Sequence, residues 1–576
     1  MSKYQEYRKA VAVLPEKAWA WNLYGAGLDS MGRNGEPELV EIPEPGPDQM
    51  LVRVDAVSLC FSDVKIIKLG PAHPKLYNRD MTVEPTRLGH ETSVTVIKVG
   101  ANLKDRYSPG QFFSIQPDIY QNGMSTAYGY TVPGGLIQYH LIGPEMLVTD
   151  TGECLVPVKD KKMSYAAASL LEPWGCVLAA FTHRRRLMPK DDGVMWILGQ
   201  PGEEKEYQFS TGLEAPAKIV LTDVPKSILD LVKEKGLAYE ERNGLSLDDF
   251  SALSDEFTGG KGFDDIVVLD PRSARRVTQV ARLIARRGTM NMMGQTPLDG
   301  LVDMDLSRLH YDYIALLGNP SSDIGASYGE ERNRCELRQG GVTLMVGAGG
   351  PMGQMHVQRA IEDQAGPSSI IATEVNAERL ATLKERFVPL AESKGKKLYV
   401  INPAEDPQVL ADLVKKVSNG RGADDVVVCV PVAKLMTEGA SLMSPDGMLV
   451  FFAGVPSGTI APLDLSSVYL NNAQYTGTSG LRIEDQELVL DRALAKALSP
   501  DLSVAAIGGL KTAKEAYQAL IDGRFPGKIT IYPQIYDLPL MGLDELKDTM
   551  PEVAAKLGPG NAWTLEAEEA LFEHCL

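Results

Sequence analysis

The sequence is poor in cysteine, and none of its cysteines form a Cys-x-x-Cys pair. Six cysteines scattered over 576 residues give no disulfide framework of the small secreted kind and fit a reducing compartment. Long apolar runs are also missing. The patch at residues 10–14 is too short for a usual signal sequence and far too short to span a bilayer. These absences predict a cytoplasmic protein without a membrane segment.

Positive charge is in short supply as well. The chain has 58 Lys and Arg against 76 Asp and Glu, a formal net charge of −18. Nucleic acids and anionic membranes both select for clustered basic residues, so neither is an expected partner. The remaining expectation is a small-molecule substrate. A chain of this length with 44% hydrophobic residues should form three to four compact units.

The sequence does contain a set of residues of the types that bind metal ions. Residues 51–57 alternate apolar and polar side chains, as a half-buried β-strand does, and Cys60 comes three residues after this run. His90 and Glu91 come about thirty residues later, and Glu172 lies further downstream. A thiolate, an imidazole and carboxylates suit Zn²⁺ in a catalytic site, which leaves one position open for water or substrate.

Each of these residues also has a simpler interpretation. Cys60 taken alone is more often a small buried hydrophobe, and Gly-His-Glu is a common surface tripeptide. The other histidines, His73 included, lack a ligand-like context. The metal-site hypothesis therefore depends on the joint pattern.

Further along, two segments resemble each other. The offset between them is 148 at Gly193 and Gly341 and 160 at the Asp-Asp pairs that begin at residues 264 and 424. Short apolar strands alternate with helical stretches in both, which is typical of a parallel βαβ sheet. The sequence therefore predicts an internal duplication of a dinucleotide-binding fold.

The second copy has the better cofactor signature. A glycine-rich turn between a strand and a helix lets pyrophosphate approach backbone N–H groups at the helix N-terminus. Glu374 ends the next predicted strand, where a carboxylate should bind the adenine ribose hydroxyls and repel a 2′-phosphate. We therefore expect NAD(H) in the second copy. The residues of the turn are Gly347, Gly349, Gly350, Met352 and Gly353.

The first copy is predicted to be degenerate. Glu203, Glu204 and Glu206 follow its glycine turn, at the expected start of the corresponding helix. Carboxylates there would repel pyrophosphate, although the helix dipole favours them. We expect this copy to serve packing or assembly.

The combination of a turn at residues 43–47, Cys-x-Ser-Asp at 60–63, Gly-His-Glu at 89–91 and Glu-Pro at 172–173 resembles the zinc-dependent medium-chain dehydrogenase/reductase superfamily. That resemblance implies one catalytic zinc held by Cys60, His90 and either Glu91 or Glu172. The structural zinc of many relatives needs a four-Cys lobe, which this sequence lacks.

The resemblance also assigns roles around the zinc and the cofactor. Ser62 matches a proton-relay hydroxyl, and Asp63 would orient a ligand, although both residues could simply cap the turn. Pro431 and Gly454 match positions of the cofactor site. The chain is most similar to the L-sorbose-1-phosphate reductase group, from which the first copy departs as an insertion.

The predicted architecture is α/β: a GroES-like β-barrel catalytic domain and two tandem Rossmann-like, doubly wound parallel-sheet domains. We expect the N-terminal part of the GroES-like catalytic domain at 1–188, the degenerate first copy at 189–338, the NAD-binding second copy at 339–490, and the C-terminal part that completes the catalytic domain, with a tail, at 491–576. The expected protein is a homo-oligomer, either a dimer or a tetramer.

The predicted function is zinc-dependent transfer of a hydride between NAD(H) and a secondary alcohol or ketone, such as a polyol, sugar or sugar phosphate. Two alternatives stay open. One is a zinc-free reductase of the quinone type, and the other is a catalytically silent NAD-binding or assembly protein.

Overall fold

A computed structural model of the chain describes residues 2–10, 14–159, 162–406 and 408–576. Residues 11–13 of the apolar patch near the start lie outside these ranges. The chain divides into two compact units. The first contains Met1–Ala179, Gly350–Met355 and Gly480–Leu576, and the second contains Ala180–Gly349 and His356–Ser479. Within the described ranges, every helix is too short or too polar to cross a membrane.

The first unit is built on an eight-stranded sheet. Its strands come from both ends of the chain and pair mostly antiparallel, as expected for the GroES-like part. In spatial order they are Met541–Gly542, Val504–Gly509, Lys528–Tyr532, Met50–Ser58, Glu91–Val99, Phe112–Ile115 and Leu155–Pro157, with Tyr139–Ile142 paired to Met50–Ser58. Its main helices are Phe61–Leu69, Tyr165–Ser169, Leu171–Thr182, Ile483–Leu494, Ala513–Asp522 and Leu565–Cys575.

The strand Met50–Ser58 differs from its prediction, because all nine of its residues are buried rather than half of them. Its polar residues pair with each other: Arg53 Nε donates to Asp55 Oδ1 at 2.7 Å, and the Tyr7 hydroxyl donates to the same oxygen at 2.8 Å. The N-terminal helix Lys3–Arg8 supplies Tyr7, and a local alternation pattern could not predict this cover.

The C-terminal helix Leu565–Cys575 belongs to the core of this unit. Glu568 is fully buried and accepts hydrogen bonds from the backbone N–H groups of Tyr165 at 2.7 Å and Ala166 at 3.0 Å. The hydroxyl of Tyr532 donates to the same carboxylate at 2.9 Å. The last residues of the chain therefore cap a helix that begins some 400 residues earlier and fix it against the sheet.

The second unit contains two six-stranded parallel sheets with the same strand order, which confirms the predicted duplication. The first sheet consists of Tyr239–Glu241, Lys218–Thr222, Val194–Leu198, Phe263–Leu269, Ile284–Met293 and Ala315–Asn319. The second consists of Lys397–Ile401, Ser369–Thr373, Val342–Val346, Ala423–Val428, Met443–Phe451 and Gln474–Gly477. Helices of the copies include Lys226–Glu234, Phe250–Thr258 and Ala274–Ala281 in the first, and Pro351–Glu362, Ala377–Ser393, Val409–Val417 and Ala433–Ser441 in the second.

The two copies meet in a reciprocal way. Val302–Asp305 of the first copy pairs antiparallel with Ile460–Leu463 of the second. The helix that follows each of these strands, Leu306–Tyr311 or Ser466–Asn471, contacts the sheet of the other copy. One hydrophobic core includes residues of both copies. The arrangement is that of an isologous dimer interface within a single chain.

The expected helix after the glycine turn of the first copy is absent, so the prediction of a helix start at Glu203–Glu206 is wrong. Residues 199–217 form turns and extended chain instead. Tyr207 and Phe209 are buried, and between them the backbone of Gln208 pairs with residues 322–324. The buried side chains of Tyr207 and Phe209 therefore cover the part of the sheet that the helix would normally cover.

Candidate metal and cofactor sites

Cys60 and His90 are positioned by a shared carboxylate. The strand Met50–Ser58 ends just before Cys60, which is the N-cap of the helix Phe61–Leu69. Asp63, fully buried in the first turn, accepts from the Cys60 backbone N–H through Oδ2 at 3.2 Å and contacts His90 Nδ1 through Oδ1 at 2.9 Å. Asp63 therefore fixes the imidazole ring against the Cys60 loop.

Glu91 begins the strand Glu91–Val99, which lies beside the end of Met50–Ser58. It is fully buried, and its Oε1 accepts from the ammonium group of Lys528, which is 3% exposed. Its second oxygen, Oε2, has no hydrogen-bond partner among the described residues. A buried carboxylate oxygen without a partner is costly, so this atom is available to a ligand.

The ligand atoms of Cys60, His90 and Glu91 all lie within 4.8 Å of one another. Glu172 lies outside this close set. It is only 6% exposed, and the charges of His90 and Cys60 affect the pKa of its carboxyl group. The donor set fits zinc, because it combines a thiol, an oriented imidazole and a carboxylate oxygen that is otherwise unsatisfied.

The electrostatics of the site favour a thiolate. Burial raises the pKa of the Cys60 thiol, but the Lys528 ammonium and a hydrogen bond with His90 outweigh it and lower the pKa to about 6. Burial raises the pKa of the Glu172 carboxyl to about 7, with His90 and Lys528 opposing the shift and the thiolate at Cys60 adding to it. The site thus favours ionisation of the Cys60 sulfur beside a carboxyl whose pKa lies near neutral.

Tyr130 connects this centre to a second group of side chains. Its ring lies 5.6 Å from the ring of His90. Burial raises the pKa of the Tyr130 hydroxyl, and Ser62 is near enough to oppose that shift. The His73 ring lies 5.5 Å from the same ring, and Lys75 Nζ lies 5.4 Å from it. Tyr130 therefore lies near His90 of the metal-ligand set, near Ser62, and near the loop that carries His73 and Lys75.

The glycine turn of the second copy follows the strand Val342–Val346, and the helix Pro351–Glu362, which includes Met352 and Gly353, begins directly after Gly350. Gly347 has φ +74°, in the left-handed region that favours glycine. A Cβ on Gly349 would lie 2.2 Å from Oε2 of Glu374. Any larger residue at this position would require the Glu374 carboxylate or the turn to move.

Glu374 directly follows the strand Ser369–Thr373. Its Oε1 accepts from the backbone N–H groups of Val375 and Asn376, both at 2.8 Å. Pro431 and Gly454 follow the strands Ala423–Val428 and Met443–Phe451. All the predicted cofactor residues therefore come after carboxyl ends of strands of the second sheet, the edge at which parallel sheets bind ligands.

Sequence reasoning missed Lys528. Lys528 opens the strand Lys528–Tyr532, which is buried throughout. A lysine in such a strand needs a buried partner, and this was the available signal. Its partner, Glu91, lies 437 residues away in the sequence, so the pairing itself could not be inferred.

Replacing Lys528 with Met should destabilise the protein strongly. The change leaves Glu91 buried and uncompensated, and breaking a buried ion pair typically lowers the free energy of unfolding by about 3–5 kcal/mol. Urea denaturation monitored by circular dichroism measures the loss. The double variant Lys528→Met/Glu91→Gln should recover most of it, and equal destabilisation of the single and double variants would contradict the pairing.

Two family models match the chain. The alcohol dehydrogenase GroES-like domain matches residues 46–150, and the zinc-binding dehydrogenase model matches residues 351–495. The first region contains Cys60, His90 and Glu91, and the second contains Glu374 and Gly454. The first Rossmann-like copy lies between the two matched regions.

Two relatives align over nearly the whole chain, so they share its extended length. Mannitol-1-phosphate 5-dehydrogenase of Aliivibrio fischeri is 23% identical over 92% of this chain and 93% of that protein. L-sorbose 1-phosphate reductase of Klebsiella pneumoniae is 22% identical over 93% of this chain and 94% of that protein.

Among solved structures, 2R,3R-butanediol dehydrogenase of Bacillus subtilis has the same fold. The TM-score is 0.51 at 15% identity, over 90% of this chain and 99% of that one. An alcohol dehydrogenase of Thermotoga maritima has a TM-score of 0.50, also at 15% identity and with the same coverage. The two family matches and the two full-length relatives support a zinc-type alcohol/polyol dehydrogenase in which the Rossmann-like unit is duplicated.

Proposed function

We propose that this enzyme interconverts a secondary alcohol and a ketone on a polyol phosphate or sugar phosphate, with NAD(H) bound to the second copy and zinc held at Cys60 and His90. The observation that carries the proposal is the buried set Cys60, His90 and Glu91, whose ligand atoms lie within 4.8 Å of one another. The names of the full-length relatives support the substrate class.

Of the two carboxylates, Glu91 is the better candidate for a third ligand. Its Oε2 belongs to the close set and has no protein partner, whereas Glu172 lies outside that set. Lys528 balances part of the negative charge that the thiolate and Glu91 bring to the centre. Glu172, whose pKa is raised to about 7, is then suited to hold or release a proton beside the substrate.

Zinc, when bound, supplies a Lewis acid for the substrate oxygen, and NAD(H) supplies or accepts the hydride. The protein's own groups do the rest. Asp63 holds the His90 ring through Nδ1, and the Ser62 hydroxyl, which lies near the Tyr130 hydroxyl, can pass a proton away from the substrate oxygen. The Glu374 carboxylate favours NAD over NADP because it would repel a 2′-phosphate.

The loop that carries Lys75 supports a phosphorylated substrate. Lys75 is half-buried, and its ammonium group lies 2.7 Å from Asp118 Oδ1. Lys75 and His73 both lie beside the Tyr130 ring. Lys65 is close enough to His73 to lower its pKa, after the larger effects of burial and Lys75. A phosphate dianion can compete with Asp118 for Lys75, and Asp118 can then accept from substrate hydroxyl groups.

Lys75→Met should raise the KM for a hexitol phosphate about ten- to a hundredfold, because one charge-assisted hydrogen bond is lost, while kcat changes little. The KM for the unphosphorylated hexitol should stay the same. Steady-state assays of NADH absorbance with both substrates measure the difference. Lys68→Met, an exposed lysine of the helix Phe61–Leu69, is the matched control. An equal effect of Lys75→Met on both substrates would rule out a phosphate contact.

Elemental analysis combined with NADH absorbance assays on phosphorylated and plain polyols tests the whole proposal. We expect one zinc per chain and faster turnover of the phosphate esters with NAD than with NADP. An active preparation without zinc would instead favour the quinone-type alternative. A zinc-loaded protein that binds NADH but turns over no polyol would favour an assembly role. A cytoplasmic homo-oligomer, dimer or tetramer, stays a prediction, which light scattering after size-exclusion chromatography can check for the oligomer.

A further inference from the structure

The helix Leu306–Tyr311 of the first copy ends against the cofactor edge of the second copy. His310 is buried, and its Nδ1 donates to the Phe451 carbonyl oxygen at 3.1 Å, at the end of the strand Met443–Phe451. A Cβ on Gly454 would lie 2.3 Å from the Tyr311 hydroxyl oxygen and 2.9 Å from His310 Nε2. The first copy thus places two side chains directly on Gly454.

The strand order of the second sheet shows why this position matters. Successive strands are added on one side of Val342–Val346 and then, after a crossover, on its other side beginning with Ala423–Val428. Ligands of such sheets bind at the carboxyl ends of the strands where the order switches. The next strand outward is Met443–Phe451, and Gly454 lies just beyond its carboxyl end. A dinucleotide that begins at the glycine turn after Val346 therefore extends toward Gly454.

The opposite contact has a different character. The helix Ser466–Asn471 of the second copy presents Tyr469 to the first copy, where a Cβ on Gly294 would lie 2.9 Å from the Tyr469 ring. Gly294 precedes Gly454 by 160 residues, the offset between the copies. Tyr469 is fully buried, and its hydroxyl donates to the Thr296 carbonyl oxygen at 2.7 Å. The Tyr469 side chain therefore fills the space beside Gly294, just after the carboxyl end of the strand Ile284–Met293.

Tyr311 is 41% exposed by contrast, and its hydroxyl has no hydrogen-bond partner among the described residues. An exposed aromatic ring with a free hydroxyl at the edge of a ligand site can contribute both an apolar surface and a hydrogen bond. The two copies thus make equivalent contacts, but only one of these contacts leaves a polar group free beside a glycine.

We propose that the first copy acts as a built-in partner subunit and contributes Tyr311 to the cofactor site of the second copy, as a positioning residue for the end of the dinucleotide that lies at Gly454. This inference rests on the proposed binding of NAD(H) to the second copy. It gives the degenerate copy a direct part in the cofactor site of the other copy.

The test measures NADH affinity by fluorescence titration of the full-length protein, so it does not depend on turnover. Tyr311→Phe should raise the Kd for NADH about three- to tenfold, the loss of one hydrogen bond. Tyr311→Ala should raise it further. Tyr469→Phe removes the equivalent hydroxyl of the opposite contact and should leave the Kd unchanged.

A double-mutant cycle adds a second measurement. Gly454→Ala should weaken NADH binding because its methyl group displaces Tyr311, and the same change should cost less in the Tyr311→Ala background. Melting temperatures check that each variant folds. Wild-type affinity in both Tyr311 variants, or equal losses for Tyr311→Phe and Tyr469→Phe, would overturn the inference alone. A wild-type protein that does not bind NADH would overturn the proposed function as well.

Discussion

Cys60→Ala should reduce the zinc content from one per chain to nearly none and abolish turnover. Cys60 is the soft ligand of the set, and its lowered pKa makes it the group most readily ionised for a metal. The fold should persist, because the loss of the thiol leaves three contacts in place: Asp63 bonds to the Cys60 backbone and to His90, and Lys528 bonds to Glu91. Elemental analysis and circular dichroism measure the two effects separately.

Cys575→Ala is the matched control for this experiment. Cys575 is also partly exposed, but it ends the helix Leu565–Cys575 and takes no part in the metal-ligand set. The control should keep its zinc and its activity. If Cys60→Ala retained zinc at the wild-type level, the metal would have to be held elsewhere and the assignment of the centre would be wrong.

Gly349→Asp should eliminate NADH binding, with a loss of affinity of more than about a hundredfold. A Cβ at this position would lie 2.2 Å from Oε2 of Glu374, so the turn has to shift. The new carboxylate would also repel both Glu374 and the pyrophosphate of the dinucleotide. Titration calorimetry should give a stoichiometry near one per chain for the wild type and no measurable heat for the variant.

The first copy offers a matched control for that change. Pro201 precedes Gly349 by 148 residues, the offset at the first glycine of each copy, and it is exposed. Pro201→Asp, like the replacement of Glu203 and Glu204 by Ala, should leave NADH binding unchanged. Binding that survives Gly349→Asp, or a stoichiometry near two, would mean that the first copy is a working site.

The features predicted best from the sequence are those that local pattern and fixed spacing determine. The glycine turn at 347–353 lies between a strand and a helix, as its composition requires, and Glu374 directly follows the next strand. The duplication could be predicted because each copy has a glycine before its first strand and an Asp-Asp pair in a later strand. These residues have structural roles that each copy needs by itself.

The Asp-Asp pairs illustrate such a role. Asp265 accepts from Arg186 and from the backbone of Lys190, and Asp425 accepts from Arg334 and from the backbone of Arg338. Both acids are fully buried, so each depends on its arginine. Arg334 and Arg338 lie 148 positions after Arg186 and Lys190. The repeat therefore begins before the glycines at 193 and 341.

The features that were missed depend on contacts between distant parts of the chain. The extended segment 199–217 replaces a helix because Tyr207 and Phe209 find a core, and because Gln208 finds a backbone partner more than 110 residues later. Burial of both faces of Met50–Ser58 likewise requires the N-terminal helix. Local propensity does not contain this information.

The antiparallel pairing of Val302–Asp305 with Ile460–Leu463 has a consequence for how the protein responds to dilution. In an assembly of separate chains, such an interface is lost below its dissociation constant, and the melting temperature then depends on protein concentration. Here both halves are tethered, and a tether typically gives an effective concentration of about the millimolar range. The contact between the copies should therefore persist at any concentration at which the enzyme is assayed.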